Sequence, residues 1–149
     1  MQQSMDNVDL RRASLMDADD VALLLSALGY PCEREDAGER IHAIIANDRQ
    51  ALVLARHDGV VCGLIALDFM YYLQLGTTTC RITAMVVTPE AQGRGLGRQL
   101  LREAERRARV GGATRLEITS GSQRVDAHAF YRACGYSDGT LRFVKHLGC

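Results

Sequence analysis

Three glycines, Gly93, Gly95 and Gly97, punctuate the segment Pro89-Glu-Ala-Gln-Gly-Arg-Gly-Leu-Gly-Arg98, and their chemistry is that of a phosphate cradle. Glycine adopts φ > 0 without steric penalty and lets the backbone approach a ligand closely. Where such a turn opens a helix, the free N–H groups of the first turn and the positive end of the helix dipole meet the same anion. Spacing separates the competing motifs. A P-loop requires Lys-Ser/Thr after its last glycine, whereas Gly97 is followed by Arg98-Gln99. A dinucleotide fingerprint requires glycine at position 98 and usually follows the first strand of its domain. What remains is Gln92-x-x-Gly95-x-Gly97, behind a β-rich run ending Val86-Val87-Thr88-Pro89. Arg94 and Arg98, beside the glycines, read as anion contacts. Arg102, Arg106, Arg107 and Arg109, interspersed with Glu103 and Glu105, read as a solvated helix face with i,i+4 pairs.

The elements that must position this loop follow from periodicity. A first strand ends over Leu10–Ala13, and Ser14 and Asp17 offer caps for a helix over 18–28, with Val21, Leu24, Leu25 and Leu28 at helical spacing. Gly29-Tyr30-Pro31 stops it. A second helix spans about 35–46, with Ile41, Ile44 and Ile45 on one side. Residues 51–56 and 60–69 read as strands around His57-Asp58-Gly59, a strong hairpin signal. Residues 71–78 read as a turn or loop, 79–87 as the next strand, and 96–110 as a helix whose buried stripe is Leu96, Leu100, Leu101, Ala104 and Ala108. Gly111-Gly112 ends that helix. A strand over 115–120, a short helix over 125–134 closed by Gly135, and a last strand over 141–147 complete the chain. The order β-α-α-β-β-β-α-β-α-β implies an α/β (α+β) fold with a mixed sheet and helices on both faces, in which 79–120 supplies a parallel crossover.

At 149 residues the chain reads as a single domain over 1–149, long enough to bury a core. Its formal net charge of zero argues against an electrostatically driven nucleic-acid binder. The five cysteines, Cys32, Cys62, Cys80, Cys134 and Cys149, show neither CxxC pairing nor zinc spacing, so neither a metal site nor a disulfide framework is expected. The amino terminus lacks a basic and apolar leader, and no apolar run approaches the ~18 residues of a membrane span. The expected location is therefore the cytoplasm, without membrane attachment.

The strand, the Gln92-x-x-Gly95-x-Gly97 loop and the helix behind it together resemble the acyl-CoA pyrophosphate loop of the GNAT superfamily of N-acetyltransferases. A second block, Ala127-His-Ala-Phe130-Tyr131-Arg-Ala-Cys-Gly135-Tyr136, resembles the A-x-x-F-Y-x-x-x-G-F/Y end of many of its members. The resemblance covers nearly the whole chain. It implies a mostly antiparallel sheet with a splayed central strand pair and acetyl-CoA as cosubstrate. Gln92, Gly93, Arg94, Gly95, Leu96, Gly97 and Arg98 would hold the pyrophosphate, and the exposed backbone of Met85, Val86 and Val87 would pair with the pantetheine arm. One backbone N–H there would polarise the thioester carbonyl. Tyr131 matches the tyrosine that often protonates the departing thiolate. A phenol with pKa near 10 giving a proton to a thiol near 8.5 works uphill by roughly 2 kcal/mol, tolerable for an acid acting as the C–S bond breaks.

Two positions depart from the family pattern. Arg124 stands where many relatives carry Asn, and Thr83 stands where a Glu often serves as base through water. Glu117, a strand carboxylate between Leu116 and Ile118, is the leading replacement base. His128 reads as a surface or packing histidine, and a primary amine with a lowered pKa needs no dedicated base. Leu28-Gly-Tyr-Pro31 and Thr119-Ser-Gly-Ser-Gln-Arg124 look like small-molecule N-acetyltransferases related to the aminoalkylphosphonate acetyltransferases. That subgroup would place Arg124 against an anionic group of substrate or cofactor. The expected activity is acetyl transfer to a small-molecule amine by direct attack in a ternary complex. The alternatives are a non-catalytic acyl-CoA-binding regulatory module and a protein or peptide N-acetyltransferase. A homodimer through the final strands is a common outcome in the family.

Overall fold

Aliphatic and β-branched runs separated by turn residues assemble one five-stranded sheet in the spatial order β1-β2-β3-β4-β5, comprising Val8–Arg12, Gln50–His57, Val60–Tyr72, Thr77–Val87 and Ala113–Ile118. The first three junctions are antiparallel, and β4 pairs with β5 in parallel. Four helices accompany it: α1 (Ala18–Leu28), α2 (Arg34–Ile45), α3 (Leu96–Val110) and α4 (Val125–Ala133). The structure is a computed structural model and describes residues 7–119, 125–139 and 142–148. It comprises two compact units, Met1–Thr119 and Ser120–Cys149.

In the first unit, side-chain alternation divides the sheet into two buried faces. Leu52 and Leu54 of β2, Leu64 and Ala66 of β3 and Val86 of β4 share a core cluster with Val21 and Leu24 of α1 and Ala37 and Ile41 of α2. The opposite parity of β3 faces α3, where a methyl group on Gly63 would lie 3.3 Å from Leu100 Cδ1 and 3.4 Å from Leu96 Cδ2. The stripe expected of α3 is buried at all five positions. On α2 the buried residues are Ala37 and Ile41, Ile44 packs partly buried against the same cluster, and Ile45, the last residue of the helix, is exposed.

Hairpin chemistry fixes the register. Asp58 and Gly59 both take positive φ, 54° and 79°, as a two-residue turn matched to strand twist requires. The loop expected over 71–78 is much shorter. Cross-strand pairs Tyr71↔Thr78 and Tyr72↔Thr77 extend both strands, since aromatic and Thr side chains suit a pleated surface. Between β1 and α1, Ser14 accepts from the N–H of Met16 at 3.3 Å, and the Asp17 carboxylate accepts from the N–H of Ser14 at 2.8 Å. Asp17, 2% exposed, also pairs with Arg56 of β2 and with Arg11 at 3.6 Å. This reciprocal cap closes the 3-10 turn Leu15–Asp17, which runs directly into α1.

In the second unit, α4 closes with hydrogen bonds from the N–H of Tyr136 to Tyr131 O (3.0 Å) and of Gly135 to Arg132 O (3.1 Å). The strand expected over 141–147 does not form: residues 142–148 carry no regular structure, and Leu141 lies outside the described residues. Strand propensity is realised only against a neighbouring strand, and the described residues of this unit contain none.

Candidate active site

The glycine loop is built as a helix entrance with its donors left open. After β4, the N–H of Thr88 donates to Cys62 O at 2.9 Å, and a single 3-10 turn, Pro89–Ala91, buries Ala91 to 3% exposure. Gly93 and Gly95 then take φ of 77° and 84°, and Gly95 is the N-cap of α3. No side chain caps that end. The first intrahelical bond runs from the N–H of Gln99 to Gly95 O (3.2 Å), so the preceding N–H groups of Leu96, Gly97 and Arg98 have no intrahelical acceptor. Arg94 and Arg98 are exposed beside them, while Leu96, 1% exposed, anchors the turn in the core. An anion there would meet backbone donors and a dipole end. The Gln92 side chain acts locally, its Nε2 donating to Val87 O at 3.1 Å and so pinning the loop to the strand end.

The strand leading into this loop is half open. The β4–β5 ladder ends at Ile82↔Ile118, followed by a bond from the N–H of Thr119 to Ile82 O at 3.3 Å. From Ala84 to Val87, β4 pairs with β3 alone among the described residues. Because Thr88 donates toward β3, strand alternation sends the N–H and C=O groups of Val86 toward β3 and those of Met85 and Val87 away from it, where the Val87 C=O accepts from Gln92. This is an edge that an extended ligand can join as an added strand.

Thr83 is the cause of the change. Ala66 faces Ala84 and Leu67 faces Ile82, leaving Thr83 as an extra, exposed residue without a partner on β3. Such a bulge reverses alternation and bends the strand. Accordingly Cys80 and Ile82 lie opposite Phe69 and Leu67 on the α3 side, whereas Ala84 and Val86 lie opposite Ala66 and Leu64 on the α1/α2 side.

Immediately before the bulge, four side chains from three strands form a charged network. Tyr72 Oη donates to Glu117 Oε1 at 2.7 Å, Arg81 Nη2 donates to Tyr72 Oη at 2.7 Å and to Glu117 Oε1 at 3.2 Å, and Arg115 Nη2 lies 3.0 Å from Glu117 Oε2. Burial pushes the Glu117 carboxyl up, but hydrogen bonds from Tyr72 and Arg81 and the charges of Arg81 and Arg115 outweigh it and hold its pKa below the ordinary value. Burial and the bond to Glu117 raise the Tyr72 phenol. From sequence, Glu117 is the expected base. In the structure its carboxylate is already engaged by two guanidiniums and a phenol, and a lowered pKa is the reverse of what a base near neutrality requires. Tyr72, Arg81 and Arg115 escape a reading of the sequence, because Tyr72 falls in the segment that reads as loop. The available signal is Asp68 and Arg81, each the single charge of its strand, followed by Arg115 and Glu117 two residues apart on the next.

Two cysteines of the sheet are unsuited to carrying an acyl group. Burial pushes the Cys80 thiol up to about 11, helped by the charge of Asp68, and burial also raises that of Cys62. Both stay protonated and hence weakly nucleophilic. Tyr131 lies on α4 in the second unit, its ring centroid 5.7 Å from that of Phe130 and 6.5 Å from that of Tyr136. His128 lies on the same helix. Arg124 is outside the described residues. Among the described residues no cluster of His, Cys, Asp and Glu could hold a metal, and no helix is long and apolar enough to cross a membrane.

A mixed sheet with a bulged strand that runs into a glycine turn at a helix N-terminus is the fold of solved acetyltransferases of the GNAT family. Residues 19–136 match the acetyltransferase (GNAT) family, and the chain belongs to it. It is 33% identical over 140 residues to the aminoalkylphosphonate N-acetyltransferase of Salmonella typhimurium, covering 93% of this chain and 91% of that one. It is 30% identical over 125 residues to the aminoglycoside N(6')-acetyltransferase type 1 of Stenotrophomonas maltophilia, covering 81% and 82%. Among solved structures, an aminoglycoside N-acetyltransferase in complex with CoA superposes with a TM-score of 0.83 at 18% identity, over 96% of each chain. A transcriptional regulator from Bacillus halodurans superposes at 0.86 with 23% identity, over 95% of this chain and all of that one. The protein is an acyltransferase of the N-acetyltransferase type.

Proposed function

We propose that the chain works as a single domain that transfers the acetyl group of acetyl-CoA to the amine of a small molecule, by direct attack in a ternary complex. The observation that carries this reading is the continuity of the β4 edge over residues 84–87, without a second strand among the described residues, with the uncapped N-terminus of α3. An arm that pairs with the edge thereby leads to a pyrophosphate at the glycine turn. Bound there, acetyl-CoA supplies an activated thioester. Gly93 to Arg98 hold its phosphates, and the outward N–H and C=O groups of Met85 and the N–H of Val87 align the arm. One of those N–H groups polarises the carbonyl as the amine nitrogen attacks. The new C–N bond forms, the C–S bond breaks, Tyr131 gives its proton to the sulfur, and the proton then shed by the acylated nitrogen passes through water to restore the Tyr131 phenol. With threonine at the bulge and Glu117 locked in its ion pairs, the ammonium loses its proton to water before attack, so the acceptor enters as the free amine.

The relatives favour a small-molecule acceptor: the names of both curated relatives specify one, an aminoalkylphosphonate and an aminoglycoside. Release of CoA thiol with a panel of aminoalkyl acids, aminoglycosides and peptide amines tests the reading. Turnover is expected with one of the first two groups. Tight acetyl-CoA binding without thiol release for any amine would establish a non-catalytic module instead.

A further inference from the structure

A cavity of about 650 Å³ lies on the α3 side of the sheet, bordered by the end of β1, the turn before β2, the end of β3 and the last turns of α3. It is separate from the glycine turn. Arg106, which lines it, is ten residues along α3 from Leu96, or about 15 Å at the rise of a helix.

The charge of this basin is unbalanced. Arg12, Arg49, Arg106 and Arg107 line it, together with Asp48. Arg106 and Arg107 share one carboxylate, Glu103, at 2.6 and 2.7 Å. Arg12 and Arg49 have no ion pair among the described residues, and neither has Asp48. Four guanidiniums thus face two carboxylates, an excess of two positive charges in one concavity.

Its remaining wall is apolar and aromatic. Phe69 is pressed against the end of α3, where a methyl group on Gly111 would fall 2.6 Å from its Cε2. Tyr71 and Val110 are 61% and 79% exposed, beside the arginines. An inorganic anion would use the guanidiniums and leave these surfaces wet. A ligand combining a flat ring, hydroxyls and phosphate satisfies all three: rings stack on Tyr71 or on arginine planes, hydroxyls donate to Asp48, and phosphates take the guanidinium forks. The volume falls within the ~300–1,000 Å³ of small-molecule sites.

We propose that this basin is a nucleoside-phosphate site, distinct from the acetyl-CoA site and able to be filled with it at the same time. Because CoA itself carries an adenosine diphosphate moiety, the experiment is a calorimetric titration of ADP into protein saturated with acetyl-CoA. ADP is expected to bind under saturation. The double variant Arg12→Ala/Arg49→Ala should weaken it by about tenfold or more, and Tyr71→Ala by several-fold, with acetyl-CoA affinity unchanged. Displacement of ADP by acetyl-CoA would overturn the proposal, as would ADP affinity unaffected by these substitutions. Inorganic pyrophosphate binding as tightly as ADP would overturn the nucleoside assignment. Should acetyl-CoA itself fail to bind, the failure belongs to the catalytic reading, and ADP titrated into the free protein and the same variants still tests the basin.

Discussion

Replacing Gly95 by alanine separates what the glycine turn does for folding from what it does for a ligand. Gly95 sits at φ 84° and ψ 4°, a left-handed conformation that costs a residue with a Cβ about 1–2 kcal/mol. A Cβ built there meets nothing within 4 Å, so no packing term is added. Gly29, at φ 110° with equally open surroundings, closes α1 and serves as a matched control. Gly95→Ala and Gly29→Ala should each lose about 1–2 kcal/mol, or roughly 2–4 °C in Tm per kcal/mol for a chain of this size. Only Gly95→Ala places a methyl group where phosphate must approach the backbone. At 100 times its Kd, acetyl-CoA stabilises the wild type by ~2.7 kcal/mol, and a tenfold weakening cuts that increment to roughly 1.4 kcal/mol. The assay is thermal or chemical denaturation of both variants, with and without acetyl-CoA at one fixed concentration. Equal acetyl-CoA increments in the two variants would refute the assignment of the turn as the pyrophosphate site.

Tyr131→Phe should lower kcat while leaving acetyl-CoA affinity unchanged, and wild-type turnover in that variant would remove Tyr131 from the mechanism. If the acceptor enters as the free amine, kcat/KM should rise with pH along the ionisation of that amine and follow it when an acceptor of different pKa is used. A fixed inflection for all acceptors would instead reveal a protein base. Because the folded pKa of Glu117 lies below its unfolded value, its stabilisation is complete above the unfolded value of about 4.3 and is lost as pH falls through the folded value. Glu117→Gln should therefore be less stable than wild type at neutral pH, by a margin that shrinks below about pH 4 in denaturation curves; a margin that widens on acidification would contradict the network. Leu100, 0% exposed beneath Gly63, should cost about 2–5 kcal/mol when cut to alanine, read from urea midpoints.

Local signals recover the elements best where one chemistry dominates. The bounds of α1 and α3 match expectation, because a glycine stop in one and a five-residue apolar stripe in the other leave no competing pattern. The hairpin after Tyr72 is hidden by Leu73-Gln-Leu-Gly76, whose turn character spreads over flanking residues that pair as strand. Composition overstates the final strand, since Leu141 to Leu147 is apolar enough for one but finds no partner strand among the described residues of its own unit. At the site, the loop is legible because glycine and cap chemistry are local. The Tyr72–Arg81–Glu117–Arg115 network is not, as it depends on a register three strands wide. The bulge at Thr83 is equally invisible, for one unpaired residue leaves no mark on composition.

That single inserted residue divides β4 into two segments with separate obligations. Residues 78–82 answer to β5, whereas 84–87 have no second strand beside them among the described residues. Side chains beyond the insertion are therefore constrained only by the layer they bury in, since the edge itself is main chain. Substitutions around Tyr72 are another matter: the charges at Arg81, Arg115 and Glu117 can be exchanged without touching the backbone edge. A fold arranged in this way can change its charged network while keeping the same backbone edge, and deleting Thr83 would end that independence by forcing both segments into one register.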